Sequence, residues 1–273
     1  MPWRPHPGSD APAARAGGTG THRAAVVAGT ALVLAIALIA AALGVVFAGR
    51  TAAGAARQRP VAAVTGTTAR TSCTSVAHIG DSTSVGMVSA TWLPDAAQRL
   101  AAQYRDVGVQ HAWIDASGGR SIVEQMPGQL NGYRVASGWY QAGFRGCWVI
   151  ALGTNDAADV SAGSNVGMMA RMQQMMAAVH GEPVMWVTTQ TDLSSGPWSE
   201  ANMQQWNAAL ELASKQYPNM RIFNWAGMVQ PGWHLSDGIH YTSAGYAIRA
   251  AAIAHALGQA FPVGGNSRTV VVS

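Results

Sequence analysis

The sequence predicts an α/β fold. It reads as a three-layer α/β/α domain around a five-stranded parallel sheet, preceded by one transmembrane helix. Three observations carry this. Five short apolar runs recur between helix-like segments. Polar clusters rich in Gly, Ser, Asn and Asp follow those runs, where sites form in open parallel sheets. An uncharged stretch of 26 residues, 24–49, lies near the N-terminus.

Residues 1–23 are rich in Pro, Gly, Ala and Arg and are expected to be a disordered cytoplasmic N-terminus. Segment 24–49, AAVVAGTALVLAIALIAAALGVVFAG, exceeds the roughly 20 residues that cross a bilayer core. A cleavable signal has an apolar run of only about 7–15 residues. An uncleaved signal-anchor is therefore expected. The alternative is a long export signal cleaved among small residues such as Ala52 to Ala56, which would release a secreted domain. Arg4, Arg15 and Arg23 precede the segment and Arg50, Arg57 and Arg59 follow it, so flanking charge nearly balances. Residues 50–72 read as a linker, 73–262 as the domain and 263–273 as a flexible tail.

Within the domain the first strand runs from about Val76 to Gly80. The helical stretch after it is interrupted by Pro94 and resumes through DAAQRLAAQY. VQHAWIDA is the second strand and GGRS a turn. Helix is expected near Arg134 to Gln141. CWVIALG is the third strand, followed by GTND. A helix is expected from about Asn165 to His180, then a fourth strand, PVMWVTTQ. After Gly196-Pro197 a helix runs from about Ser199 to Gln216. MRIFNW is the fifth strand, and a last helix covers about Ser243 to Leu257. MMARMQQMM repeats Met at helical spacing, which points to core packing.

The net charge of +4 hides an asymmetry. The first 70 residues hold seven Arg and one Asp, whereas residues 71–262 hold eight Arg and one Lys against twelve carboxylates. A mildly acidic domain is a poor nucleic-acid binder, which needs a clustered basic face. No His/Cys/Asp/Glu set has metal-ligand spacing and no phosphate-cradling loop is present, so neither a metal nor a cofactor is expected. Cys73 and Cys147 each begin an apolar run. If those strands are parallel neighbours, a disulfide is geometrically open to them; two buried thiols fit the sequence as well. A bridge would imply an oxidising, extracytoplasmic compartment.

The chemistry-bearing residues are Ser82 in GDS, the glycines of DASGGRS, Asn155 in GTND, and Asp237 and His240 in SDGIHY. A serine hydroxyl needs a base within reach, and the base needs orienting. Asp237 and His240 are three residues apart, so one turn can present both. Taken singly, Ser82 reads as a helix cap and Asn155 with Asp156 as turn formers. Asp81, His78 and His111 read as structural, and His234 as a loop residue.

GDS after the first strand, a glycine after the second, GTND after the third and DGIH before the last helix resemble the SGNH (GDSL-like) hydrolases, in an actinobacterial-type chain. The resemblance covers about residues 75–258 and implies the flavodoxin-like fold of that family. It implies Ser82 as nucleophile, His240 as base and Asp237 as its orienting acid. It implies an oxyanion hole from the Ser82 and Gly119 N–H groups and the Asn155 amide, with Gly118 the alternative to Gly119. Thr83 stands where the family's GDSL has Leu, and Asp115 lies where an Asn often precedes the glycine. The function so implied is a serine esterase acting through an acyl-enzyme, with an acyl ester of an envelope glycan or lipid as substrate. Trp198 and Trp233 then either line an acyl or sugar pocket or pack. Acyl transfer to a glycan hydroxyl beside an envelope acyltransferase partner is a second reading, and a catalytically silent envelope-binding module a third.

Overall fold

The computed structural model describes residues 70–265 and 270–272. The expected transmembrane segment, 24–49, lies outside the described residues, among which no helix is long and apolar enough to cross a membrane.

Six parallel strands form one sheet in the order β2-β1-β3-β4-β5-β6. They are β1 (Ser75–Gly80), β2 (His111–Ala116), β3 (Cys147–Ala151), β4 (Val184–Val187), β5 (Met220–Phe223) and β6 (Val271–Val272). The first five are the expected ones. The sixth corrects the reading of residues 263–273 as a loose tail. Val271 and Val272 pair with Ile222 and Phe223, so the chain end extends the sheet at β5. A two-residue strand is too short to leave a period in the sequence.

The central strands are buried on both faces, and their side chains alternate between two cores. Cys147, Val149 and Ala151 face one core, and Trp148 and Ile150 the other. The first face is covered by α1 (Ser82–Val88), α2 (Leu100–Asp106) and α7 (Ser243–Ala260). The second is covered by α3 (Gly132–Gln141), α4 (Thr154–Ser161), α5 (Met168–Ala178) and α6 (Glu200–Ser214). Met172, Met175 and Met176 of α5 are buried in that second core, as helical spacing predicts.

Two elements differ from expectation. DAAQRLAAQY divides into a short 3₁₀ turn, Ala96–Gln98, and α2, because Arg99 is extended and its guanidinium returns to the Leu93 and Pro94 carbonyls. GTND opens a helix, α4, whose sequence TNDAADVS is too polar to show an apolar stripe. Gly153 lets it start there. Its φ is 139°, and a Cβ would lie 2.1 Å from Trp206 Nε1.

Cys73 and Cys147 form a disulfide, with Cα atoms 5.7 Å apart. β1 and β3 are parallel neighbours and Cys147 pairs with Val76, which brings the two N-terminal strand ends together. Thr71 and Ser72 donate backbone hydrogen bonds to Val107 and Phe261, so the chain is already bound to the domain before Cys73.

Candidate active site

The polar turns gather beyond the C-terminal ends of β1, β2 and β3, and α7, which follows the Asp237–His240 loop, packs on α1. Ser82 is the first residue of α1 and half-buried. Its predecessor Asp81 caps the helix: Oδ1 accepts from the Thr83 amide at 2.8 Å and the Thr83 hydroxyl at 2.7 Å. Asp81 is fully buried, and burial pushes its carboxyl up, while the Thr83 hydrogen bonds and the charges of Arg249 and His240 pull the other way. Arg249 of α7 donates to the Thr83 hydroxyl at 3.4 Å, which joins α7 to the turn that carries Ser82. No hydrogen bond joins Ser82 Oγ to His240 among the described residues.

Asp237 and His240 are joined. His240 Nδ1 and Asp237 Oδ2 are 2.8 Å apart, and Asp237 Oδ1 accepts from the Ile239 and His240 amides at 2.9 Å each. Burial works to raise the Asp237 carboxyl, but the Ile239 amide and the His240 ring and amide outweigh it and hold it below the ordinary range. Leu235 N–H donates to the His240 carbonyl at 2.7 Å and Thr242 N–H to that of Trp233 at 2.8 Å, which closes the loop. The arrangement holds a proton on Nδ1 and leaves Nε2 with no protein partner among the described residues. An imidazole so held can accept a proton at Nε2.

Asn155, second residue of α4, is oriented from both ends of its amide. Nδ2 donates to the Arg120 carbonyl at 3.0 Å, and Oδ1 accepts from Trp198 Nε1 at 3.3 Å. Gly118 and Gly119 are exposed just before Arg120, with Gly119 at φ +70°, a region that favours glycine. Arg120 is the anchor that sequence reasoning missed. Its buried guanidinium donates to the Asp115 carbonyl at 2.8 Å, the Asp115 carboxylate at 2.8 Å and the Gly80 carbonyl at 3.3 Å. It thereby ties the glycine turn to the end of β1. The signal was an arginine directly after a Gly-Gly turn, a place where a buried cation has no obvious partner in the sequence.

Asp156 faces away from this group. Its Oδ1 accepts from Ile122 N–H at 2.9 Å and from Arg171 Nη1 at 3.0 Å. Arg171 is fully buried and also binds Glu124 through both terminal nitrogens. His78 and His111 lie in strands and His234 in a loop, as the sequence predicts. His78 is buried between the Tyr104 hydroxyl and Ser84 Oγ, and burial, aided by Arg249, drives its imidazole down to about 3. It is a neutral packing group. His234 is buried against the Tyr241 ring, with Nδ1 3.0 Å from Asp192 Oδ2. His111 is exposed on the edge strand β2. Trp233 stacks on Trp225, a packing role. Among the described residues no group of His, Cys, Asp and Glu could hold a metal ion.

The model of the GDSL-like Lipase/Acylhydrolase family matches residues 78–248, which spans every residue of this site. No curated protein sequence matches the chain significantly. Solved structures share the fold at low identity. The C-terminal catalytic domain of peptidoglycan O-acetyltransferase A from Streptococcus pneumoniae is 18% identical, with 70% of this chain and 97% of that one covered and a TM-score of 0.50. A lipase/acylhydrolase from Enterococcus faecalis is 17% identical over 70% and 99% of the two chains, at a TM-score of 0.51. A carbohydrate acetylesterase family member from Sinorhizobium meliloti is 12% identical over 66% and 95%, at a TM-score of 0.50.

Proposed function

The chain belongs to the GDSL-like lipase/acylhydrolase family of ester hydrolases, and from that premise we propose that it is a serine esterase with Ser82 as nucleophile, His240 as base and Asp237 as the acid that orients it. The observation that carries the reading is the Asp237–His240 pair, held by two backbone amides with Nε2 open. Ser82 Oγ attacks the ester carbonyl as His240 Nε2 takes its proton. The tetrahedral oxyanion is met by the Ser82 and Gly119 amides and by Asn155 Nδ2. Collapse breaks the ester C–O bond, and His240 returns the proton to the leaving alcohol. Water, deprotonated by His240, then cleaves the acyl-enzyme to acid and free Ser82. Donors aimed at the developing charge are each worth about 3–4 kcal/mol.

The substrate we propose is an acyl ester of a cell-envelope glycan or lipid. Two structures of the same fold are described as acting in peptidoglycan O-acetyl transfer and carbohydrate acetyl ester chemistry, which makes acetylated glycans the first compounds to try. We further propose that the domain stands outside the cytoplasmic membrane, tethered through residues 24–49. The uncharged length of that segment and the Cys73–Cys147 disulfide support this.

Hydrolysis of nitrophenyl acetate and butyrate by the full chain and by Ser82→Ala tests the mechanism. Ser82→Ala is expected to lose about 10³-fold or more in kcat with its melting temperature kept. Equal rates in the two proteins would overturn it. Product analysis with an added glycan acceptor separates hydrolysis from acyl transfer, the reading favoured by the O-acetyltransferase structure.

A further inference from the structure

Trp198 lies in the loop between β4 and α6, outside the motifs that mark the site, yet its indole reaches Asn155. We propose that Trp198 is a positioning residue that fixes the amide of Asn155 as an oxyanion donor. The inference rests on the esterase reading above.

The argument is one of donors and acceptors. An asparagine amide has an acceptor end and a donor end with two N–H groups. The Arg120 carbonyl can only accept, and it receives Asn155 Nδ2 at 3.0 Å. The indole N–H can only donate, and it meets Asn155 Oδ1 at 3.3 Å. Flipping the amide would set oxygen against oxygen at Arg120 and N–H against N–H at Trp198. The two contacts therefore select one orientation. In it, one Nδ2 hydrogen is engaged by Arg120 and the other is left as a directed donor. With Arg120 alone, the oxygen end has no partner and the amide is freer to swing about its terminal bond, whose torsion is broad.

Trp198 is itself held. Its carbonyl accepts from the buried Thr191 hydroxyl at 2.7 Å, and Thr191 N–H donates to Glu200 Oε2 at 2.9 Å. The next residue, Asp192, donates its N–H to the Gly238 carbonyl at 2.7 Å, between Asp237 and His240 in the chain. The loop from 191 to 200 is thus a strut. One end rests on the acid–base loop and the other presents an indole to the oxyanion amide. Trp198 therefore registers two halves of the site that come from distant parts of the sequence.

A double-mutant cycle on the full chain tests this, with nitrophenyl acetate as probe. Trp198→Phe keeps the ring and removes the N–H. It is expected to lower kcat about tenfold, the scale of one well-placed hydrogen bond, with KM within about twofold. In an Asn155→Ala background, itself down about 10²-fold, the same change is expected to cost nothing further. A ring that merely packs or lines a pocket would cost the same in both backgrounds, and that result overturns the inference. So does wild-type kcat in Trp198→Phe. Thr191→Val, which releases the Trp198 carbonyl and leaves the indole chemically intact, is the second arm should Trp198→Phe misfold. A smaller loss of kcat, again absent without Asn155, is expected, and equal loss in both backgrounds overturns the inference. Wild-type rates in Ser82→Ala or Asn155→Ala overturn the esterase reading and this inference with it. Losses there alongside an undiminished Trp198→Phe overturn this inference alone.

Discussion

Two clusters of charge, one in the loop before α7 and one drawn from the region of α4 and α5, are built on opposite principles. Asp237 and His240 are partly open to water, with side chains 46% and 35% exposed, and they leave a ring nitrogen unengaged. Asp156 and Arg171, with no exposure at all, are knit together with Glu124, whose carboxylate is 38% exposed and closes the cluster at its rim. Adjacent residues of one turn divide between the two worlds. Asn155 presents its amide toward the glycine turn, and Asp156 sends its carboxylate into the buried cluster. On the proposed mechanism, the comparison separates charge that is put to work from charge that is put to hold. A group that must exchange a proton during a reaction is kept accessible and incompletely partnered. A group that pins a loop is buried and multiply bonded, because an unpaired buried charge is costly.

The sharpest way to break this comparison is Asp237→Asn. The substitution keeps Oδ1 as acceptor for the Ile239 and His240 amides, so the loop keeps its shape. It replaces the carboxylate oxygen that meets His240 Nδ1 with an N–H, or forces the ring into the wrong tautomer. Loss of kcat by about 10²- to 10⁴-fold is expected, with little change in melting temperature. Steady-state kinetics beside calorimetry measure both. A large fall in melting temperature with kcat nearly kept would place Asp237 with the holding charges.

Arg171→Leu is the opposite case. It leaves Asp156 and Glu124 facing one another without their cation. Breaking a buried ion pair by removing one partner costs about 3–5 kcal/mol. Chemical denaturation should show that loss directly. The kcat of the molecules that remain folded should fall far less than in Asp237→Asn. An unchanged unfolding midpoint with kcat abolished would mean that the buried cluster acts in the chemistry, and the division drawn between the two would fail.

The two clusters were not equally legible in the sequence. Asp237 and His240 are three residues apart, so their partnership is local and visible. The strands were visible too, as apolar runs of the right length, and so was the placement of Ser82, Gly119 and Asn155 at their ends. Glu124, Asp156 and Arg171 come from three segments, and only the folded chain brings them together. Asp156 accordingly read as a turn former, and Glu124 and Arg171 carried no signal. Trp198 is the same kind of case, a loop residue whose partner lies 43 positions away. β6 escaped because two valines show no period, and α4 because its buried face is made of Thr154, Asp156, Ala157 and Ala158 rather than large apolar side chains. Local pairing is written in spacing, whereas pairing across the fold is written in shape.

The last expected effect is a pH dependence of stability that the buried cluster carries. Burial raises Asp156 to about 7, against the pull of the Ile122 amide and Arg171. Asp159, beside the same guanidinium, is raised to about 6 by burial and by the neighbouring Glu124. A carboxyl whose folded value lies above its unfolded one binds its proton more tightly in the folded chain. Its contribution to stability is complete below the unfolded value and is lost as pH rises through the folded value. Glu124 has the other sign. Burial would raise it, but its bonds from Arg171 and Ser164 bring it down to about 2, so its contribution is present above its unfolded value and is lost as pH falls from there toward 2. Between these windows, moving from pH 5 to 7.5 should lower the unfolding free energy, and Asp156→Asn should flatten that slope. Urea titrations at a series of pH values measure the slope in both proteins. A slope that Asp156→Asn leaves unaltered would show that this buried carboxyl does not carry it.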